Sequence, residues 1–423
     1  MNRITDPRDL DPLLHPLDAL LADIAVNLQL PPGLHEKATG RYESVRNYAE
    51  RDGSPLKDRV LRFYPQGSMA IDATISTRGT DDEYDLDIVA ELDVRPDADP
   101  DEVLDLLYEA LKGYPTSKGV VRQTRCVTVY YADGMHLDVT PASRLPSTGE
   151  RESHIFHANP DEPATRHFHV PMNAYGFAVH YNERAPVERR FADAMSRRLF
   201  EANGLRIRAD AEVDEVPDQI PLLVKSVTTV ALQLLKRFRN IVYAEAPGRI
   251  PPSVMLSAFA AQAAFPGMTL SDMLVRQARL VANTIRAASA RRGKVRVVNP
   301  VYPPDQFTDR WPETLAQQDD FASNLTRLAN GIEALKRGDV GLEEAQAWLR
   351  EQFGAMVVSR SVRDFNARTG RAVRNAAQAY TPRGGLYVPS APALVGVGSG
   401  AAAVAVAAAP AVARPHTFMG GRR

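Results

Sequence analysis

Apolar and polar residues alternate with different periods in the two halves of the chain. Before residue 146, short alternating runs predict a helix over 101–111 and strands over 60–64, 84–92, 127–131 and 135–140. After residue 221, apolar residues recur every three or four positions and predict helices over 222–238, 254–264, 270–290, 315–336, 342–353 and 362–379. The pattern therefore predicts a small mixed α/β unit, about residues 55–145, followed by a mostly helical second half.

Turn-forming and small residues mark the remaining segments. Two helices are predicted between residues 11 and 52, and the proline-rich stretch 146–218 is predicted to be irregular. From residue 381 the chain is rich in Pro, Gly and Ala and is expected to be disordered. We therefore expect four parts: N-terminal helices that pack on both lobes (1–54), a core with an extension (55–215), a helical lobe (216–380) and a tail (381–423).

Charge and cysteine content narrow the class of protein. The formal net charge is -1, so no overall basic field exists to hold a long nucleic acid. The single cysteine, Cys126, excludes an intramolecular disulfide and a cysteine-based zinc site. The first residues lack the apolar core of a signal peptide, and the Ala-rich stretch 393–413 lacks the Leu, Ile and Phe density of a membrane span. We therefore expect a cytoplasmic protein without a membrane partner.

Two aspartates lie two residues apart on the predicted strand 84–92. Alternation along a strand points Asp85 and Asp87 to one face, and it points Leu86 and Ile88 to the other face, where they suit a core. Carboxylates this close repel each other unless a cation lies between them. The sequence therefore leaves two interpretations, a metal site or a solvated charged strand edge.

A third aspartate is predicted on a neighbouring strand. Asp133 and Gly134 form a strong turn signal between two alternating runs, so the following strand returns beside the first. Asp138 alternates with the apolar Leu137 and Val139 on that returning strand. Hard divalent cations prefer oxygen ligands, and two of them about 3.5–4 Å apart can clamp the oxygens of an in-line displacement. The three aspartates therefore predict a site for two Mg²⁺ ions, for which Mn²⁺ can substitute.

Gly67 and Ser68 follow the first predicted strand. Glycine allows the backbone to approach a phosphate closely, and serine adds a hydroxyl donor. Taken alone, the pair is better explained as an ordinary turn. The order along the chain is more informative: a strand, Gly-Ser, a strand with Asp-x-Asp, and then Asp138 on a later strand. That order resembles the polymerase-β-like nucleotidyltransferase core.

Longer segments narrow this resemblance to the bacterial CD-NTases, which are relatives of cyclic GMP-AMP synthase. The segments that resemble the family follow its order within residues 59–264: QGSMAI (66–71) with EYDLDIV (83–89), NAYGFA (173–178), QLLKRFRN (233–240) and IPPSVML (250–256). Ala174 replaces the family's usual proline, and Phe238 stands where tryptophan is common. The resemblance implies an α+β fold, with a polymerase-β-like nucleotidyltransferase core and a mostly helical second lobe.

The resemblance also implies an activity. CD-NTases make cyclic di- or trinucleotides from NTPs, including ATP, and many act in bacterial anti-phage (CBASS) signalling. By this resemblance Asp85 and Asp87 bridge both metal ions, and Asp138 binds the metal that activates the attacking hydroxyl. Gly67 and Ser68 would hold the donor triphosphate. CBASS regulatory proteins are the candidate protein partners.

Two further residues enter through the resemblance alone. Lys236 and Ser253 match family positions that contact the triphosphate. Without the motif, Lys236 would be interpreted as a solvated residue of an amphipathic helix. Because adjacent residues of a helix do not share a face, at most one or two of Lys236, Arg237 and Arg239 can face a cleft.

Two other functions stay open at this point. A different polymerase-β-like transferase would add nucleotides to RNA 3′ ends or AMPylate a protein. A catalytically silent, antitoxin-like binding module would keep the fold with a degenerate site. The near-neutral charge counts against a long RNA acceptor, and the presence of all three aspartates counts against a silent module. A cyclic oligonucleotide synthase is therefore the leading hypothesis.

Overall fold

The computed structural model describes most of the chain, namely residues 11–29, 32–75, 84–115, 117–145, 149–210, 225–374, 379–380 and 386–387. Only the backbone is described at residues 32–36, 84–85, 203–210, 371–374, 379–380 and 386–387. Nearly all of the tail 381–423 lies outside the described residues, so its disorder stays a prediction.

Helices make up most of the described chain. In chain order they are α1 (Pro16–Leu28), α2 (Pro32–Ala49), α3 (Gly67–Ala70), α4 (Pro100–Leu111), α5 (Ala174–Arg184), α6 (Arg189–Asp210), α7 (Val227–Val242), α8 (Ser253–Ala263), α9 (Leu270–Ala290), α10 (Leu315–Arg337), α11 (Leu342–Phe353) and α12 (Ala355–Arg374). The strands are β1 (Val60–Pro65), β2 (Tyr84–Leu92), β3 (Gly119–Arg122), β4 (Val127–Tyr130), β5 (Met135–Arg144), β6 (Ser153–His157), β7 (Phe168–Met172), β8 (Val298–Asn299), β9 (Tyr302–Gln306), β10 (Ala379–Tyr380) and β11 (Leu386–Tyr387).

The main sheet follows the order β1-β2-β5-β4-β3, with β6 pairing to the far end of β5 and β7 pairing to β6. β2 and β5 run parallel, whereas the other pairs in this sheet are antiparallel. The predicted hairpin is confirmed, because β4 and β5 pair antiparallel on either side of Asp133 and Gly134. Its return strand lies between β2 and β4, so the strand that carries Asp138 is a direct neighbour of the strand that carries Asp87.

One face of this sheet forms a core with α2 and α4. Leu86 and Ile88 of β2 pack there with Leu137 and Val139 of β5. Side chains alternate across a strand, so Asp87 belongs to the opposite face, together with its neighbour in the parallel pair. The buried apolar residues therefore determine which face of the sheet is left for polar chemistry.

The second core is built around α7, which is buried along most of its length. Helices α8 to α12 pack around it, and so do α1, α5 and α6 from earlier in the chain. α1 therefore belongs to this helical core, whereas α2 packs on the sheet. Ile71, Ala73 and Ile75, which follow α3, also reach into the helical core. The division at 1–54, 55–215 and 216–380 stays a prediction.

The prediction that residues 146–218 are irregular is wrong for the described part, 149–210, which contains β6, β7, α5 and α6. Pairing of β6 with β7 buries Phe156, and α6 packs into the helical core, so tertiary contacts override the proline and charge signals. The β8–β9 hairpin was not predicted either, because Pro303 and Pro304 argue against a strand, and proline is tolerated in a short edge strand such as β9.

The predicted fold class is otherwise confirmed as α+β, with a mixed sheet unit followed by a helical lobe. Helices α9 and α11 begin and end at the predicted residues. In the part of the chain that the structure describes, no helix is both long enough and apolar enough to cross a membrane.

The contact between α10 and α11 generates a stability prediction. Glycine to alanine in a helix normally stabilises it by about 1 kcal/mol. A Cβ at Gly331 would overlap the indole ring of Trp348, so Gly331→Ala should instead lower the free energy of unfolding by about 1–3 kcal/mol. A Cβ at Gly40 in α2 would have nothing within 4 Å, so Gly40→Ala should raise the free energy of unfolding. Urea titration of both variants tests this, and an equal gain in both would contradict the packing described.

Candidate active site

Two of the three predicted aspartates lie side by side on neighbouring strands. Asp87 and Asp138 are register partners in the parallel pair, where strands are about 4.8 Å apart. Thr128 Oγ1 donates a 2.6 Å hydrogen bond to Oδ1 of Asp138, which fixes that carboxylate. The backbone of Asp85 pairs with His136, and the Asp85 side chain lies outside the described residues.

Gly67 is required for two independent reasons. Its φ is +57°, in the left-handed region that favours glycine. A Cβ at this position would lie 2.5 Å from Oδ2 of Asp87. The backbone N–H of Gln66 donates to the carbonyl of Asp87 at 2.9 Å, which ties the same segment to β2. The predicted Gly-Ser turn is thus the start of the short helix α3, and it lies directly against a candidate metal ligand.

The segment after α3 is fastened to the helical lobe by three buried side chains. Lys225 Nζ, Lys236 Nζ and Gln233 Nε2 donate to the carbonyls of residues 72, 73 and 74 in turn, each at 2.9 Å. Burial lowers the pKa of Lys225, and the carboxylate of Asp72, at 3.1 Å, opposes that shift. Lys236, which was predicted to bind the triphosphate, therefore holds the segment after α3 against α7.

A cavity of about 310 Å³ opens between the sheet and the helical core. It brings together the residues predicted for phosphate binding and one of the aspartates. The described lining is Gln66, Gly67, Ser68, Ile75, Asp87, Met172, Ala174, Phe177, Ala178, Lys236, Arg239, Asn240, Ser253, Val254, Ser257, Asp305 and Phe307. Asp138 lies beside this lining, on the strand next to Asp87.

The three cations of α7 face two different sides of the helix, as the helix geometry predicts. Lys236 and Arg239 line the cavity, whereas Arg237 Nε donates to the carbonyl of Phe353 at 2.9 Å in the helical core. Arg239 Nη1 donates to Ser253 Oγ at 2.8 Å. Two buried cations of α7 and the hydroxyl of Ser253, in the first turn of α8, therefore belong to the same lining.

Asp305 is a cavity residue that the sequence did not predict. It is 8% exposed, and its Oδ2 accepts hydrogen bonds from the backbone N–H of Asn173 at 3.1 Å and from Asn299 Nδ2 at 3.0 Å. Burial raises the pKa of Asp305 to about 6, the two hydrogen bonds lower it, and nearby Asp309 raises it further. Its surroundings in sequence, with two prolines before it, carry no signal of a binding residue.

An apolar wall stands beside Asp305. The rings of Phe177 and Phe307 meet edge to face with centroids 4.9 Å apart, and Met172 lines the same cavity. Asn173 caps α5 by accepting from the backbone N–H of Gly176 at 2.7 Å, which fixes the helix that carries Phe177. The cavity lining thus combines two cations and a serine hydroxyl with aromatic rings and a carboxylate.

The donor set suits a hard divalent cation as far as it is described. Asp87 and Asp138 offer carboxylate oxygens on adjacent strands, and Gly67 leaves space against Asp87 that a side chain would fill. Among the described residues, no three Asp, Glu, His or Cys side chains come together. The third predicted ligand, Asp85, is not among the described side chains.

The fold and this cavity are those of a nucleotidyltransferase, and comparisons with known proteins identify the family. A family model for the Second Messenger Oligonucleotide or Dinucleotide Synthetase domain (SMODS) matches residues 17–152. The chain is 57% identical over 419 residues to the cyclic dinucleotide synthase CdnG of Bradyrhizobium diazoefficiens, covering 99% of this chain and 98% of that protein.

Solved structures agree with this assignment. The structure of Bradyrhizobium diazoefficiens CD-NTase CdnG in complex with GTP matches with a TM-score of 0.76 and 56% identity, covering 84% of this chain and 100% of that chain. The E. coli MS115-1 CdnC structure with ATP, at 15% identity and a TM-score of 0.51, shares the fold and covers 81% of this chain and 98% of that one. The chain therefore belongs to the CD-NTase family and is a nucleotidyltransferase of the cyclic dinucleotide synthase type.

The close approach of Gly67 to Asp87 generates a prediction for activity. Gly67→Ala should reduce product formation by about 100-fold or more, because the new Cβ must displace the Asp87 carboxylate. Gly53→Ala is the matched control, since Gly53 also has a positive φ (+79°) but its Cβ would meet nothing within 4 Å. Both variants should lose about 1 kcal/mol of stability. Equal loss of activity in the two would argue against the contact as the cause.

The raised pKa of Asp305 generates a prediction for stability. An unfolded aspartate titrates near pH 3.9, roughly two units below the folded value of about 6. The folded state therefore loses stability as pH rises from about 4 to 6, by roughly 2 kcal/mol. Asp305→Asn should remove this loss. The free energy of unfolding of the variant, relative to that of the wild type, should therefore rise between pH 4.5 and pH 7.5. Urea unfolding at both pH values measures it, and a pH-independent difference would show the prediction to be wrong.

Proposed function

We propose that this chain condenses two nucleoside triphosphates into a cyclic dinucleotide. In each step a ribose hydroxyl oxygen bonds to an α-phosphorus, the bond to the bridging oxygen breaks, and pyrophosphate leaves. The observation that carries the proposal is the juxtaposition of Gly67 with Asp87 at one end of a cavity that also contains Lys236, Arg239 and Ser253. Such a cavity suits a triphosphate held against carboxylates.

The aspartates are proposed as ligands for two Mg²⁺ ions, with Mn²⁺ as a substitute. When bound, the ions would neutralise charge on the phosphates and lower the pKa of the attacking hydroxyl. Asp87 and Asp85 would bridge both ions, and Asp138 would bind the ion at the hydroxyl and accept its proton. Thr128 supports this role, because its hydrogen bond occupies one oxygen of Asp138 and orients the other.

Lys236, Ser68 and Ser253 are proposed to bind the triphosphate, together with the backbone of Gly67. An ammonium group has three donors, so Lys236 can keep its hydrogen bond to Ala73 and still donate to a phosphate oxygen. Arg239 lines the same end, and its charge would help to offset the charge of the leaving pyrophosphate.

The substrates and the biological role are proposed from the family. The GTP complex of the Bradyrhizobium relative supports GTP as one substrate of this chain, and ATP is the other candidate. We propose that the product is a second messenger in anti-phage (CBASS) signalling in the cytoplasm, with CBASS regulatory proteins as partners. Transfer to RNA ends or to a protein is the alternative that the following experiment separates.

The test is product identification. Purified full-length protein, incubated with all four NTPs and Mg²⁺ or Mn²⁺, should give a phosphatase-resistant cyclic dinucleotide by mass spectrometry. Asp87→Asn and Asp138→Asn should each lower the yield by at least about 100-fold, since each removes a proposed metal ligand.

Asp133→Asn is the matched control for these variants. Asp133 lies on the same hairpin, but its carboxylate pairs with Lys37 and Arg41 outside the cavity, so full activity is expected. Linear products only, or labelled RNA or protein, would overturn the proposal in favour of the other transferase classes. Undiminished yield from the Asp87 and Asp138 variants would reject the metal site.

A further inference from the structure

We propose that Asp305 selects the base of the bound nucleotide, and that it selects guanine. The inference goes beyond the proposed function by naming the residue and the edge of the base that it recognises. It rests on that function only in taking the ligand to be a nucleoside triphosphate.

One carboxylate oxygen of Asp305 accepts hydrogen bonds from the protein, and the other can accept from a ligand. Its Oδ2 accepts from Asn173 and from Asn299, and Asn299 also donates to the carbonyl of Asn173 at 2.9 Å. No hydrogen bond to Oδ1 is formed within the described residues, and Asp305 lines the cavity. The carboxylate is therefore held rigidly by the protein through one oxygen while the other can accept from a ligand.

Charge disfavours contact between the triphosphate and Asp305. Phosphates and a buried carboxylate repel each other strongly where water is scarce. The cations Lys236 and Arg239 line the cavity on the α7 side, together with the hydroxyl of Ser253. A nucleotide whose phosphates bind these cations would leave its nucleoside for Asp305.

The apolar side chains next to Asp305 favour contact with the base over contact with the ribose. Phe177 and Phe307 pack edge to face there, and Met172 lines the same space. Flat aromatic rings and a thioether suit the face of a purine, whose own π system stacks on apolar surfaces. A ribose, which is rimmed by hydroxyls, would gain little from these contacts.

The chemistry of the carboxylate then distinguishes the purines. With a pKa of about 6, Asp305 is ionised at pH 7.5 and can only accept hydrogen bonds. Guanine presents two donors, N1–H and the N2 amino group, side by side on its Watson–Crick edge. Adenine presents a lone pair at N1, which a carboxylate repels. Hydrogen bonds to a charged partner are worth about 1.5–3 kcal/mol, so discrimination of about 10- to 100-fold is expected.

An amide at position 305 should reverse this preference. In Asp305→Asn the side-chain carbonyl can accept from Asn173 and Asn299 as Oδ2 does now, which turns the NH₂ group toward the ligand. That group donates to N1 of adenine and is opposed by N1–H of guanine. The substitution keeps the shape of the side chain, so the change isolates hydrogen-bond polarity.

Binding to full-length protein with Mg²⁺ at pH 7.5 tests the inference. Calorimetry with α,β-methylene analogues of GTP, ITP and ATP prevents turnover. The wild type should bind the guanosine analogue about 10- to 100-fold more tightly than the adenosine analogue, with inosine between them because it lacks the N2 amino group. Asp305→Asn should lose affinity for guanosine by a similar factor and keep or improve its affinity for adenosine.

Asp309→Asn is the matched control, because it removes a charge four residues away whose carboxylate pairs with Arg125 outside the cavity lining. It should keep the guanosine preference. An equal loss of all analogues in Asp305→Asn, or an unchanged ratio, would overturn the inference.

The remaining measurements use the wild-type protein alone. If 2′-deoxy or 3′-deoxy guanosine analogues lose as much wild-type affinity as the adenosine analogue does, Asp305 binds the ribose and the inference is rejected. Base discrimination in a protein that makes no cyclic product would reject the proposed function and leave Asp305 as the guanine-binding residue.

Discussion

Three hydrogen bonds to consecutive carbonyls join the segment after α3 to the helical core beside the cavity. Lys225, Lys236 and Gln233 all lie in or just before α7, and they donate to residues 72–74 in succession. Within the part of the chain that the structure describes, these carbonyls accept no β-ladder or helical hydrogen bond, and buried carbonyls left without donors are costly. The segment also begins at Gly67, against Asp87 of β2. The segment 67–75 therefore contacts both the sheet and the helical core, and it borders the cavity between them.

This arrangement explains why a helix as buried as α7 carries so many polar side chains. Burying a cation or an amide without a partner costs several kcal/mol, so each must be matched. Arg237 is matched by the carbonyl of Phe353, and Arg239 by Asn240, Pro251 and Ser253. The bond to Phe353 joins α7 to the end of α11, the bonds to Pro251 and Ser253 join it to the start of α8, and the bond to Asn240 stays within α7. The polar residues thus give the helix a single orientation in a core whose apolar contacts alone would allow others.

The sequence predicted the parts of the site that depend on local periodicity. Alternation located Asp87 and Asp138 on their strands, and the Asp-Gly turn predicted the β4–β5 hairpin that carries Asp138, although not the parallel pairing of β5 with β2. It could not predict Asp305, whose environment is built by Asn173 and Asn299 from distant parts of the chain. Apolar periodicity records which residues avoid water, but it carries no information on polar residues whose partners are remote in sequence. The clamp on residues 72–74 escaped prediction for the same reason.

The cavity lining carries charges of both signs, and different elements of the fold supply them. α7 and α8 supply the cations beside Ser253, whereas the β8–β9 hairpin and the cap of α5 supply the carboxylate of Asp305. A nucleoside triphosphate has its own polarity, with charge at one end and a flat neutral base at the other. Reversed binding would place phosphates against Asp305 and leave Lys236 facing a base, which is unfavourable at both ends. The proposed orientation of the nucleotide therefore follows from charge alone and needs no contact specific to one base.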